Sequence, residues 1–229
     1  MSHHFESLFG IKPGMIQTVC IIMPFNIPRA GRLLGVSTMI EGRIFACGQG
    51  DGFTLIRSGM SAGFVGDCAL YLEETPCQKV LFLGTCGLIH RQLDLDIGSL
   101  VTPVTIHAFE SFSAIVTNTL TIQAPLHVDS IFPRELKIPC VNAVSFASLH
   151  EEEKHLALFD KIRAVAIEME CHAFFLACRN INRTAGALLV ISDILQEKTF
   201  SSALAPDDKK KLADGINRAC GYLKSIISQ

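Results

Sequence analysis

Apolar runs without polar interruption limit this chain more than any other feature. TVCIIM (18–23), RIFAC (43–47), FTLIRS (53–58), KVLFLGT (79–85), GSLVTPVTI (98–106), IPCVNAV (138–144), RAVAIE (163–168) and ALLVISD (187–193) recur with helix-compatible stretches between them. A strand with one wet face alternates apolar and polar residues, so several of these runs point to strands covered on both faces. Helices are expected at 29–35, 62–74, 151–160, 170–180 and 207–227. The last carries Leu212, Ile216, Ala219, Leu223 and Ile227 at helical spacing, with Asp207, Asp208, Lys209, Lys210 and Lys211 solvated at its start, as in a surface helix capping the sheet. The expected class is α/β, a central sheet flanked by helices on both faces. No repeat, low-complexity tract or Pro/Ser-rich linker divides the chain, so 1–229 is expected to form a single domain.

Composition narrows the function. Of 229 residues, 49% are apolar and 18% charged, which suits one large core, and the net charge of -2 leaves no basic surface for nucleic acid. A small molecule is the expected partner. The nine cysteines are odd in number and scattered, with no CxxC spacing, so reduced, buried thiols and a cytoplasmic location are expected. MSHHFESLFG lacks the pattern of a secretory signal, and no apolar run has the length of a membrane span, so no membrane partner is expected.

Three motif matches weaken on inspection. GMSAG (59–63) fits the G-x-S-x-G nucleophile elbow and lies between an expected strand and an expected helix. Such an elbow also needs an acid followed by a histidine; the best acid, Asp193, has no histidine after it. CGQGDGF has Phe53 where a dinucleotide loop needs its third glycine, and a hairpin turn between 43–47 and 53–58 explains it better. His150 and His155 are one residue too far apart for a zinc-protease helix: five residues place the imidazoles about 140° apart, so a charged helix surface is expected and no metal site.

Three strand ends are harder to explain as packing. AVAIEME places Glu168 and Glu170 where a buried strand turns into a helix. LLVISD places Ser192 and Asp193 at the carboxyl edge, where open α/β sheets bind ligands, and LGTCGL ends a strand in a glycine-flanked turn at Thr85. Taken singly, these are also compatible with helix-dipole compensation, an N-cap and a tight connection. Together, GTCG (84–87), DIGSLVTP (96–103), EME (168–170) and SD (192–193), in this order and with 23 residues from Glu170 to Asp193, resemble the nucleoside phosphorylase and nucleosidase superfamily. The resemblance runs from about residue 19 to the C-terminus. GMSAG then matches the family's glycine-rich turn, with Gly59 giving close backbone approach and Ser61 an added hydroxyl where relatives usually have glycine.

The resemblance implies a nucleoside phosphorylase-like fold with a mixed, twisted central sheet, and cleavage of a purine-type N-glycosidic bond through a ribosyl cation-like transition state. Glu170 would accept hydrogen bonds from the ribose hydroxyls, Met169 would pack on the sugar, and Asp193, oriented by Ser192, would protonate the base. Glu168 is expected beside them, and Phe146 either stacks on the base or fills the core. No cofactor is implied, with phosphate a co-substrate only in a phosphorylase. Relatives are dimers, trimers or hexamers, so a homo-oligomer is implied.

The nucleophile side departs from the family. A G-D-P-x-R segment of phosphorylases is here Phe25, Asn26, Ile27, Pro28 and Arg29, and a second phosphate-binding arginine is replaced by Phe82. The glutamates that follow the first strand of nucleosidases are missing too. The balance favours hydrolysis of a methylthioadenosine or S-adenosylhomocysteine-like nucleoside. A phosphorylase using Arg29, Arg43 and Thr85, or a nucleoside-binding protein without turnover, are the alternatives. His3 or His4 could reach a neighbouring subunit's site, as an early histidine does in phosphorylases, or belong to a loose terminus.

Overall fold

The structure, a computed structural model, describes residues 2–27, 29–91, 94–200 and 202–228, with side chains from His4 onward. The His3 side chain and Pro28 lie outside the described residues. The backbone of the site is β5 (Lys79–Leu88), whose apolar run KVLFL is buried as the lack of alternation requires. Parallel to its first half lies β1 (Val19–Met23), and β4 (Thr54–Arg57) is parallel to β1 in turn. β3 (Ala46–Gln49) and β2 (Ile40–Glu41) continue the sheet in antiparallel fashion. β3 and β4 form the expected hairpin through the glycine-rich turn, closed by Gly50 N–H donating to the Phe53 carbonyl at 2.9 Å. β3 starts later than the run RIFAC because Arg43 and Ile44 form an exposed turn.

On its other side β5 pairs in parallel along its whole length with β10 (Thr184–Ile194). β10 pairs with β6 (Leu100–Phe109), β6 with β8 (Cys140–Phe146), β8 with β9 (Ala166–Glu168), and β9 returns to the end of β5. The mixed sheet therefore closes on itself through these five strands while its other half stays open. A strong right-handed twist makes such closure possible. The short strand β7 (Leu126–His127) adds to β6.

Helices cover both faces. α1 (Ser2–Phe9), α3 (Ala62–Tyr71) and α6 (Cys171–Asn180) bury Phe5, Phe9, Val65, Cys68, Phe174 and Cys178 on one side. α2 (Ala30–Leu34) and α7 (Pro206–Ile227) bury Ala30, Leu34, Ile216, Ala219 and Leu223 on the other. Each such phenylalanine or leucine contributes roughly 1.5–3 kcal/mol by leaving water. α4 (Phe112–Val116) follows β6, and α5 (Leu156–Lys161) covers the end of β8 with Phe159. α1 and α4 are not among the expected helices.

Two expectations are corrected. Asp208 is not solvated at the start of α7: it is 4% exposed and paired with Lys198 at 2.7 Å. His155 is not on a free charged surface; its ring lies 5.2 Å from that of Phe146, and its Nδ1 is 2.9 Å from the Glu151 carbonyl. All nine cysteines are unpaired, and only Cys140 is exposed. Among the described residues, no helix is long and apolar enough to cross a membrane.

Candidate active site

The ends of β5, β9 and β10, with the turns after β1 and β4, enclose a cavity of about 310 Å³. Thr85, Glu168, Met169, Glu170, Ser192 and Asp193 are brought together on its wall, although they come from three separate strand ends. Strand ends at one edge of a sheet are where backbone groups run out of ladder partners and side chains can converge on a ligand.

Glu168 and Glu170 are separated by a single residue but are held quite differently. One oxygen of Glu168 accepts from the Ser145 hydroxyl at 2.5 Å; the other accepts from the backbone N–H groups of Glu170 and Cys171, both at 2.6 Å. It occupies the orphan donors at the start of α6, which a carboxylate satisfies well against the positive end of the helix dipole. Burial raises its pKa while those hydrogen bonds oppose the rise. Both Glu168 oxygens are thus engaged, and its part at the site is to fix the backbone that carries Glu170. Ser145 is also used twice, since its hydroxyl accepts from His172 N–H at 3.0 Å.

Glu170 accepts from the Ser61 backbone N–H at 2.9 Å. Burial, and then the neighbouring Glu168, push its pKa up to about 8. Ser61 has φ 119° and ψ 153°, a region in which essentially only glycine is at ease, and the strain aims its N–H at the carboxylate. The Ser61 contribution at the site therefore comes from its backbone. Gly59, at φ 88°, shapes the same turn but has Phe64 beside it and does not line the cavity.

Asp193 is placed by a bulge. The β5–β10 register shifts between Ile191 and Asp193, so that Asp193 rather than Ser192 pairs with Gly87. Such an extra residue re-aims side chains locally. The Ser192 hydroxyl lies 2.6 Å from Asp193 Oδ1 and 3.2 Å from the Cys86 carbonyl. A Cβ at Gly87 would stand 2.9 Å from Asp193 Oδ2, so a larger residue there would press on the carboxyl that lies across β5. Burial raises the Asp193 pKa, with the Ser192 hydrogen bond in opposition.

Some expected residues lie elsewhere. Phe146 is fully buried among Phe109, His155 and Phe159 and does not line the cavity; of the two expectations for it, the core position is the one found. Arg29 and Arg43 are not gathered with Thr85. Arg29 is exposed at the start of α2 and borders a groove against Leu212 and Ile216 of α7. Arg43 is exposed in the turn before β3, its backbone N–H donating to the Ser7 carbonyl. Phe82 is buried, its ring 5.3 Å from that of Phe174. The exposed ring of His4 lies 6.0 Å from that of Tyr71, away from the cavity.

Five further residues stand on the cavity wall: Met60, from GMSAG, Phe25, from the segment that departs from the phosphorylase pattern, and Leu149, Glu152 and Phe200, which no motif marks. Four form an apolar mouth, with Met60, Leu149 and Phe200 each about half exposed. Glu152 sits in an acidic run that suggests a wet surface, but Leu149, Glu152, Leu156 and Phe159 share one face at helical spacing, and that phase is a signal for an inward carboxylate.

The phosphorylase superfamily family model matches residues 139–228. No sequence among the curated proteins matches the chain. Among solved structures, uridine phosphorylase from Vibrio fischeri is similar with a TM-score of 0.72 and 16% identity, covering 94% of this chain and 93% of that one. The 5'-methylthioadenosine/S-adenosylhomocysteine nucleosidase of Helicobacter pylori gives 0.69 and 18%, over 93% and 98% of the two chains. Futalosine hydrolase from Helicobacter pylori gives 0.70 and 17%, over 93% and 99%. Residues 139–228, which hold the EME and SD strand ends, thus carry the sequence pattern of the phosphorylase superfamily, and the chain carries the nucleoside phosphorylase and nucleosidase fold.

Proposed function

We propose that the protein hydrolyses the N-glycosidic bond of a purine-type nucleoside. The observation that carries this reading is the pairing, on one cavity wall, of a buried carboxyl oriented by a serine, Asp193, with a second carboxyl that accepts from the Ser61 backbone N–H, Glu170. Burial raises the Asp193 pKa, the direction that favours the protonated form a general acid needs. It gives its proton to the purine N7 as the bond between the anomeric carbon and the base nitrogen breaks, and the bonding electrons stay with the base. Glu170 accepts hydrogen bonds from the sugar diol, and these strengthen as positive charge develops on the ribose and its hydroxyls become more acidic. Water adds to the anomeric carbon and loses a proton, which restores Asp193 through solvent.

Water rather than phosphate is favoured because, among the described residues, no lysine, arginine or histidine lines the cavity. An oxocarbenium-like centre needs little push from its nucleophile, so placing a water against Thr85 substitutes for the acid absent after β1. The apolar mouth of Phe25, Met60, Leu149 and Phe200 suits an uncharged 5'-substituent such as a methylthio group.

The test follows free base released from methylthioadenosine, S-adenosylhomocysteine, adenosine, inosine and uridine, with and without phosphate. Release that does not depend on phosphate is expected. Strict phosphate dependence would instead establish a phosphorylase, and binding without release a nucleoside-binding protein.

A further inference from the structure

Glu152 is the third acid of the cavity wall that could meet a ligand. It lies in the turn Glu152–His155 after β8 and is 8% exposed. Its neighbour Glu151 pairs with His150 at 2.7 Å and Lys154 at 2.8 Å, and Glu153 is exposed. The Glu152 carboxyl, by contrast, has no hydrogen bond or ion pair among the described residues and faces the space shared with Asp193. Burial, with Asp193 nearby, pushes its pKa up to about 8. A nearly buried carboxyl without a partner is costly, and a fold that retains one at a cavity wall points to a ligand that pairs with it.

The chemistry of the wall says what kind of ligand. Its polar side chains are Thr85, Glu152, Glu168, Glu170, Ser192 and Asp193; among the described residues it holds no amide, guanidinium, ammonium or imidazole. The Ser192 hydroxyl is spent on Asp193 and the Cys86 carbonyl. Such a wall is rich in acceptors and poor in donors. A base with a ring carbonyl beside the Asp193 contact would need a donor there, which Glu152 offers only while protonated, whereas an exocyclic amino group brings two donors of its own and finds an acceptor in Glu152 in either state.

Resting on the nucleoside-cleavage reading above, we infer that Glu152 determines base specificity by accepting a hydrogen bond from the exocyclic amino group of a 6-aminopurine, beside the ring nitrogen that meets Asp193. The Glu152 carbonyl oxygen can accept in either protonation state. Asp193 and Glu152 then divide the base edge between proton donation and recognition, with Leu149 and Phe200 excluding water around them.

The test compares the wild type with Glu152→Gln and Glu152→Ala on adenosine and inosine, measuring kcat/KM, and on free adenine and hypoxanthine, measuring Kd by calorimetry. Thermal melts establish that both variants fold. The wild type is expected to prefer the 6-amino compound by about tenfold or more, the free-energy equivalent of one buried hydrogen bond. Glu152→Ala should lose that preference through the amino compound alone, and Glu152→Gln, which carries an N–H donor at every pH, should shift it toward the 6-oxo compound when compared with wild type at about pH 9, where Glu152 is ionised. An unchanged 6-amino to 6-oxo ratio in both variants overturns the inference, as does equal weakening for both bases, which would mark a structural role. If the wild type splits no nucleoside, the proposed function fails, and the two Kd values still decide the role of Glu152.

Discussion

The wall built by the ends of β9 and β10 holds Glu168, Glu170, Ser192 and Asp193, all tied to backbone or to one another by hydrogen bonds, whereas the opposite wall, from the turns after β1 and β4, offers Phe25 and Met60 and, among the described residues, no charge. The first wall is rigid because each carboxyl is fixed by a different element: Glu168 by the start of α6, Glu170 by the α3 turn, Asp193 by the β10 bulge. The second wall is an apolar surface, with Met60 about half exposed. Such an arrangement places the work of bond breaking on stabilising the sugar cation and the leaving base, and asks only for positioning at the nucleophile.

Asp193→Asn gives the largest expected effect. It keeps the side chain's shape and removes the acid, so kcat should fall by about 10²–10⁴ with circular dichroism and melting unchanged. A variant with wild-type kcat would move the proton donor elsewhere on the wall. Next, Glu170→Gln should lower kcat/KM by about tenfold or more, and a 2'-deoxynucleoside should lose nothing further in that variant, since the contact it lacks is already gone. Phe25→Ala, on the opposite wall, should cost less than about tenfold and fall on KM. Equal losses at Glu170 and Phe25 would erase the contrast between the walls.

The smallest effect is on stability. Glu152, Glu168, Glu170 and Asp193 all have pKa values raised in the folded chain, with burial as the first cause. For Glu152 and Glu170 the folded chain binds more protons than the unfolded chain between about 4.5 and about 8, so stability falls as pH rises through that window. The penalty is absent below it and complete above it. Melting should therefore be higher near pH 5.5 than near pH 8.5 by a few degrees, and Glu152→Gln or Glu170→Gln should flatten the slope. A melting temperature indifferent to pH in the wild type would argue that these carboxyls are wetter than their burial implies.

Much of this was legible in the residues. The eight apolar runs each contain or overlap a strand, because burial on both faces leaves a direct mark in composition. Glu170, Ser192 and Asp193 were legible as polar groups stranded at the ends of apolar runs. Phe146 and the two arginines were not, since a buried phenylalanine beside a site and one within it look alike in sequence, and the direction of an exposed arginine depends on the turn that carries it. α1 escaped because its apolar residues Phe5, Leu8 and Phe9 make too short a pattern without the hairpin of β3 and β4 to pack on.

The sequence by itself determined the strand and helix pattern, the covered sheet and the set of carboxyls at strand ends, because these follow from local periodicity and from the cost of burying charge. Only the tertiary structure decided that the sheet closes through β5, β6, β8, β9 and β10, that Glu168 is consumed by the start of α6 while Glu170 stays available, and that Glu152 shares a cavity wall with Asp193. Each of those depends on contacts between residues far apart in the chain, where a hydrogen bond or a bulge sets the aim of a side chain and no local pattern records it.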